Sequence, residues 1–207
     1  PRTHYGNEFM QAFWNEVDVR RGEIRGIESY AHDQTTFRDE VRKLVGRYYL
    51  SSRDDYRAAV QSIYKENLSP MRRKTALNRL EESLAPIVDF DAIVLPDAGR
   101  TIGLIAPALA FEDIVLTRDP AAIETIQRAT GYQEVHPVTL LGASTWNTPQ
   151  TIESCERYCE EAIFVDAYYA DNPDPKVRDF VAGFVGASRD LVAPRRDRLN
   201  RVLRKTV

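Results

Sequence analysis

Helix-like and strand-like stretches alternate along nearly the whole of this chain, and that alternation constrains its fold more than any other feature. Residues 6–20 carry Phe9, Phe13 and Val17 as one apolar stripe at helical spacing, and Gly22 follows as a stop signal. Residues 23–31 read as a strand. A second helix opens near Thr36, whose spacing to Asp39 has the form of a capping box, with Phe37, Val41, Leu44, Val45 and Tyr48 as its buried face. The rhythm resumes with a strand at 92–95, a helix at 101–111 and a short apolar piece at 114–116. Asp119 and Pro120 cap and open a helix that Gly131 closes. A strand at 138–141, a helix at 149–160 and a strand at 162–168 come next. The last helix follows 172–175 and turns Val177, Phe180, Val181 and Phe184 inward. This order predicts an α/β fold with a mainly parallel sheet flanked by helices.

Two stretches break the rhythm. Residues 51–85 read as two charged helices split near Leu68-Ser69-Pro70, with Tyr56, Val60, Ile63 and Tyr64 on one side and Leu77, Leu80 and Leu84 on the other. Residues 51–87 are therefore expected to be a helical insertion into an α/β lobe spanning 1–187. Residues 188–207 are Arg-rich and read as a helical tail with Leu191, Leu199 and Leu203 apolar. A length of 207 residues fits one domain.

The charge balance narrows the function classes. Lys and Arg number 28 against 31 Asp and Glu, so the chain lacks the basic excess that general nucleic-acid binding requires. The runs Met71-Arg72-Arg73-Lys74 and 195–205 read as solvated helix faces, with docking of another protein as the competing reading. The longest apolar run, 102–111, is about half a membrane span and contains Gly103 and Pro107. Pro1-Arg2-Thr3-His4-Tyr5 is not a signal peptide, and residue 1 reads as a cut within a longer protein, with any targeting segment upstream.

In open parallel sheets ligands sit at the carboxyl ends of strands. Four such loops are expected here: 30–33, 96–101, 142–147 and 168–171. In the second, Asp97 can hold a ligand ammonium and Arg100 a carboxylate, while Gly99 admits a close backbone approach and Thr101 caps the following helix. The competing reading pairs Asp97 and Arg100 with each other or with solvent. In the third, Trp146 is a candidate aromatic wall or else packing for the turn, and Ser144 lies in a strand-to-helix loop with no His/Asp pair to serve as its base.

Other constellations carry less. His4, His32 and His136 have no metal-ligand spacing, so neither a metal nor another cofactor is expected. Cys155 and Cys159 stand four apart on a predicted helix, where a disulfide strains regular geometry, so they read as two buried or half-buried thiols. No G-x-S-x-G, G-x-x-x-x-G-K-[ST] or G-x-G-x-x-G motif occurs, and the chain is read as non-catalytic. A doubly wound enzyme with scattered catalytic groups is the alternative.

The order of segments resembles the second, C-terminal lobe of type I periplasmic-binding proteins of the branched-chain amino-acid-binding kind. It is carried by 5–9 opening a helix, 24–30, 36–41, the stretch Asp89-Phe90-Asp91-Ala92-Ile93-Val94-Leu95-Pro96-Asp97, Thr139-Leu140-Leu141-Gly142, and 162–168. Within that family the branch of penicillin-binding-protein activator lipoproteins is the nearest likeness. The resemblance covers about 1–50 and 88–187, and lacks the first lobe and the strand before Tyr5. It implies a hinged, two-lobed protein of the periplasm, membrane-bound only through a lipoprotein anchor outside this chain. Its ligand is a small polar molecule such as an amino acid or cell-wall fragment, and its second-lobe contacts fall on Tyr5, Asp97 to Thr101, Ser144 and Trp146. The alternative it implies is an envelope scaffold that binds proteins and no small ligand.

Overall fold

A computed structural model describes residues 1–166 and 172–187, the last four of these by backbone alone. The loop at 168–171 and the tail at 188–207 lie outside the described residues. Among the described residues three strands form the sheet: β1 (Ala92–Val94), β2 (Thr139–Gly142) and β3 (Ile163–Phe164). They lie in the order β1-β2-β3 and all pairs are parallel, with Ile93 opposite Leu140 and Leu141 opposite Ile163. The expected α/β class with a parallel sheet is therefore present.

Eight α-helices accompany the strands among the described residues: α1 (His4–Val19), α2 (Arg38–Leu44), α3 (Asp54–Lys65), α4 (Pro70–Ser83), α5 (Gly99–Phe111), α6 (Pro120–Thr130), α7 (Pro149–Cys155) and α8 (Pro175–Ala187). Local chemistry fixes many of their ends. The Thr3, Ser69, Asp119 and Thr148 side chains each accept a backbone N–H in the first turn of α1, α4, α6 and α7. Proline occupies the first position of α4, α6 and α7, where no N–H is needed.

The core lies where α2 and α5 cover the sheet. Val41 and Val45 meet Ile102, Ile105 and Leu109, with Ile114, Leu140, Trp146 and Cys155 completing the cluster. The pair α3 and α4 is tied to this body by a buried guanidinium. Arg47, 8% exposed, donates to the Leu84 carbonyl at 2.7 and 2.9 Å, to Asp113 at 2.7 Å and to the Tyr132 hydroxyl at 2.9 Å. It also pairs with Glu112, itself 5% exposed. Arg53 repeats the device one residue further along, donating to the Ala85 carbonyl at 2.9 Å.

Several expectations are corrected. Residues 23–31 are extended but join no ladder. Helix α2 starts at Arg38 behind Phe37 with no side-chain cap, so the Thr36–Asp39 box does not form. Tyr48 is exposed rather than buried, because α2 ends at Leu44 and Tyr48 lies in the bend beyond it, and Phe180 on α8 is exposed as well. The strand expected at 162–168 shrinks to Ile163–Phe164. Helix α7 ends at Cys155, where Glu156 takes φ 45°, and a 3-10 turn carries the chain from Glu156 to Cys159. Cys155 and Cys159 are joined by a disulfide, with Cα atoms 5.6 Å apart. The regular helix that argued against this bridge is absent, because the chain breaks helix between the two cysteines.

Candidate functional site

The carboxyl ends of β1 and β2 bring their two loops into contact. Thr145 donates its hydroxyl to the Asp97 carbonyl at 2.8 Å, and the Asp97 carboxylate accepts the N–H of Ala98 at 2.7 Å. From the loop before α2, Tyr30 donates its hydroxyl to the same carboxylate at 3.0 Å. Burial of the ring, then the neighbouring Asp97 charge, push the Tyr30 phenol well above its ordinary range, so this oxygen stays a donor. Beyond β3, Asp166 accepts a hydrogen bond from the Asn147 side chain. Three strand tips thus share one polar rim.

The nominated residues fall on different sides of this rim. Arg100 and Ser144 are exposed on it, and Arg100 faces solvent rather than pairing with Asp97. Thr101 is half-buried inside the first turn of α5, whose cap position is Ala98, so it does not cap the helix. Gly99 is buried, and its close approach is to α7: a Cβ there would stand 2.0 Å from the Thr151 hydroxyl oxygen. Trp146 is 2% exposed, covers Gly142, and donates its indole N–H to the Leu95 carbonyl at 3.1 Å. Its ring packs the turn. Tyr5 stands in the first turn of α1, 45% exposed, with its ring 6.0 Å from that of Phe9.

Tyr30, Thr145, Asn147 and Asp166 were not singled out from the sequence. The first three belong to loops that the alternation places at strand ends; only Asp166 had no signal of its own. Among the described residues no three His, Cys, Asp or Glu side chains gather as a metal site. No described helix is long and apolar enough to cross a membrane.

Below the rim, beside β1, runs a groove of about 500 Å³ that also touches Leu141 of β2. Residues 22–28 and 89–96 form its walls, while Phe13 and Val17 of α1, Val41 and Leu44 of α2, and Ile105 and Leu109 of α5 furnish its apolar lining. Compared with family models, curated proteins and solved structures, the chain matches none.

Proposed function

We propose that this chain is a non-catalytic ligand-binding lobe, offering its strand-tip rim as one wall of a cleft for a small polar molecule such as an amino acid or cell-wall fragment. The observation that carries the reading is the convergence of three parallel strand tips on a rim organised by Asp97, with the Arg100 and Ser144 side chains exposed beside it. A buried tyrosine hydroxyl and a threonine hydroxyl hold Asp97 in place before any ligand arrives, which lowers the ordering cost of binding. Arg100 offers a fork for a carboxylate, and Asp97 a negative charge for an ammonium.

The segment order supports one lobe of a type I periplasmic-binding arrangement in the cell envelope. The Cys155–Cys159 disulfide supports an oxidising compartment such as the periplasm. A single wall encloses little of a ligand, so the lobe alone binds weakly.

The test is a titration of the chain with free amino acids and with muropeptide fragments, followed by amide chemical shifts. The reading expects shifts confined to 97–101 and 144–147 that vanish in Arg100→Ala. Shifts spread evenly, or none with any of these compounds, overturn it. A second reading, an envelope scaffold that binds proteins, is favoured by the exposed Tyr49, Tyr64 and Met71 around the α3 and α4 pair. Loss of a captured partner on replacing all three by serine supports that reading.

A further inference from the structure

The groove beside β1 has the form of a vacant strand position. Its walls are two runs of consecutive residues, 22–28 and 89–96, so backbone as well as side chains faces the space. Arg25 pairs with Asp89 at one end and Tyr30 with Asp97 at the other, which sets residues 25–30 alongside β1 and parallel to it. Ile24, Glu28 and Tyr30 are the more covered residues of this run, while Arg25, Gly26, Ile27 and Ser29 are exposed. No backbone hydrogen bond joins it to β1.

The edge of β1 that faces the groove carries unused backbone groups. Asp91 and Leu95 bond to β2, through the Thr139 N–H at 3.0 Å and the Leu141 carbonyl at 2.9 Å. Alternate residues of a parallel strand bond to opposite sides, so Ala92 and Val94 aim their N–H and C=O groups into the groove. Backbone donors and acceptors in such a place are commonly paired.

The geometry points to this groove as the docking site of one extended peptide segment from a partner protein, added to β1 as a strand. Apolar residues of that segment meet Phe13, Leu44 and Ile105, and unused groups of Ala92 and Val94 supply its ladder. Its charge is set by the end of the groove where β1 begins. There Glu23, Asp89 and Asp91 line the wall; Arg25, the one cation among the described lining side chains, pairs with both Glu23 and Asp89, and Asp91 meets His136 at 3.1 Å. Three carboxylates around one shared guanidinium leave this end net negative and select a segment with Lys or Arg at the terminus that meets it.

Two capped hexapeptides test this, Lys-Val-Thr-Val-Thr-Lys and its counterpart with Glu at both ends. Residue-resolved hydrogen exchange reads the Ala92 and Val94 amides of the whole chain. The expected result is fast exchange in the free chain, slowed at least tenfold by the lysine peptide and unchanged by the glutamate peptide. In Glu23→Lys/Asp91→Lys the preference reverses. Amides already protected in the free chain show that 22–28 closes on β1 by itself, and this overturns the proposal. Protection by neither peptide, or by both alike, overturns it too.

Discussion

The Tyr30 hydroxyl reaches across 67 residues of sequence to the Asp97 carboxylate at 3.0 Å and fastens the end of the first extended segment to the tip of β1. Tyr30 is 7% exposed, so its oxygen has little water to fall back on. Tyr30→Phe deletes the donor and leaves Asp97, which is half-buried, to solvent and to the Ala98 N–H. A loss of about 1 kcal/mol is expected, measured by urea unfolding. A variant as stable as the parent shows that this bond does not fasten the two loops.

The same contact sets a dependence on alkaline pH. The Tyr30 and Tyr132 phenols are both raised, each chiefly by burial; the Asp97 charge adds to the first and a hydrogen bond to Asp113 to the second. The folded state therefore keeps protons that the unfolded chain releases above about pH 10. Stability from these groups is complete below that value and declines as pH rises past it. Tyr30→Phe should flatten the decline. Parallel slopes for parent and variant above pH 10 contradict this.

Arg47 is expected to be the costliest single loss. Its guanidinium serves Leu84, Glu112, Asp113 and Tyr132, and removing it leaves the buried Glu112 carboxylate with the exposed Arg38, at 3.2 Å, as its remaining counter-charge. Arg47→Met should destabilise by about 3–5 kcal/mol, and Arg47→Lys should recover only part, since an ammonium cannot span those partners. Adding Glu112→Gln to Arg47→Met should restore some stability, because a buried charge left only the exposed Arg38 as partner is gone. Additive losses in the double variant would refute the charge argument.

What the sequence makes legible follows from how local each signal is. Proline and a capping residue start α4, α6 and α7 where the text of the chain puts them, and Gly131 ends α6. The strands at 92–95 and 138–141 are apolar runs of the right length and appear as β1 and β2. Residues 23–31 have equally good strand character but no ladder, because pairing is a relation between segments that periodicity in one segment does not contain. Trp146 fails as a crevice wall for a similar reason: Gly142, four residues earlier, leaves room for the indole to turn inward. Arg47 was unmarked as well, since nothing adjacent to it announces partners 37 to 85 residues away.

Glycine replacements separate space from backbone angle. At Gly142 a Cβ would lie 2.2 Å from the Trp146 ring, so Gly142→Ala forces the indole or β2 to move and should cost about 1–3 kcal/mol. Gly131 has φ 77° with open space around it, and Gly131→Ala should cost about 1 kcal/mol from backbone strain alone. Gly131→Asn should be nearly neutral, since asparagine tolerates this angle. Thermal unfolding of the three variants gives the ranking, and an equal loss for Gly131→Asn and Gly142→Ala would remove the distinction.

The Cys155–Cys159 bridge closes a ring of only five residues over the break between α7 and its 3-10 continuation. Loop-closure entropy for so short a ring limits its contribution to about 2 kcal/mol, so the reduced chain should stay folded with a modestly lower Tm. The two sulfur positions differ: Cys155 is fully buried in the core and Cys159 only partly. Cys155→Ser sets a hydroxyl among apolar neighbours and should lose about 1 kcal/mol more than Cys159→Ser, although both break the same bond. Equal losses would mean the bridge alone accounts for the effect. Two thiols titrating in the unreduced, unfolded protein would show that the bridge is not formed at all.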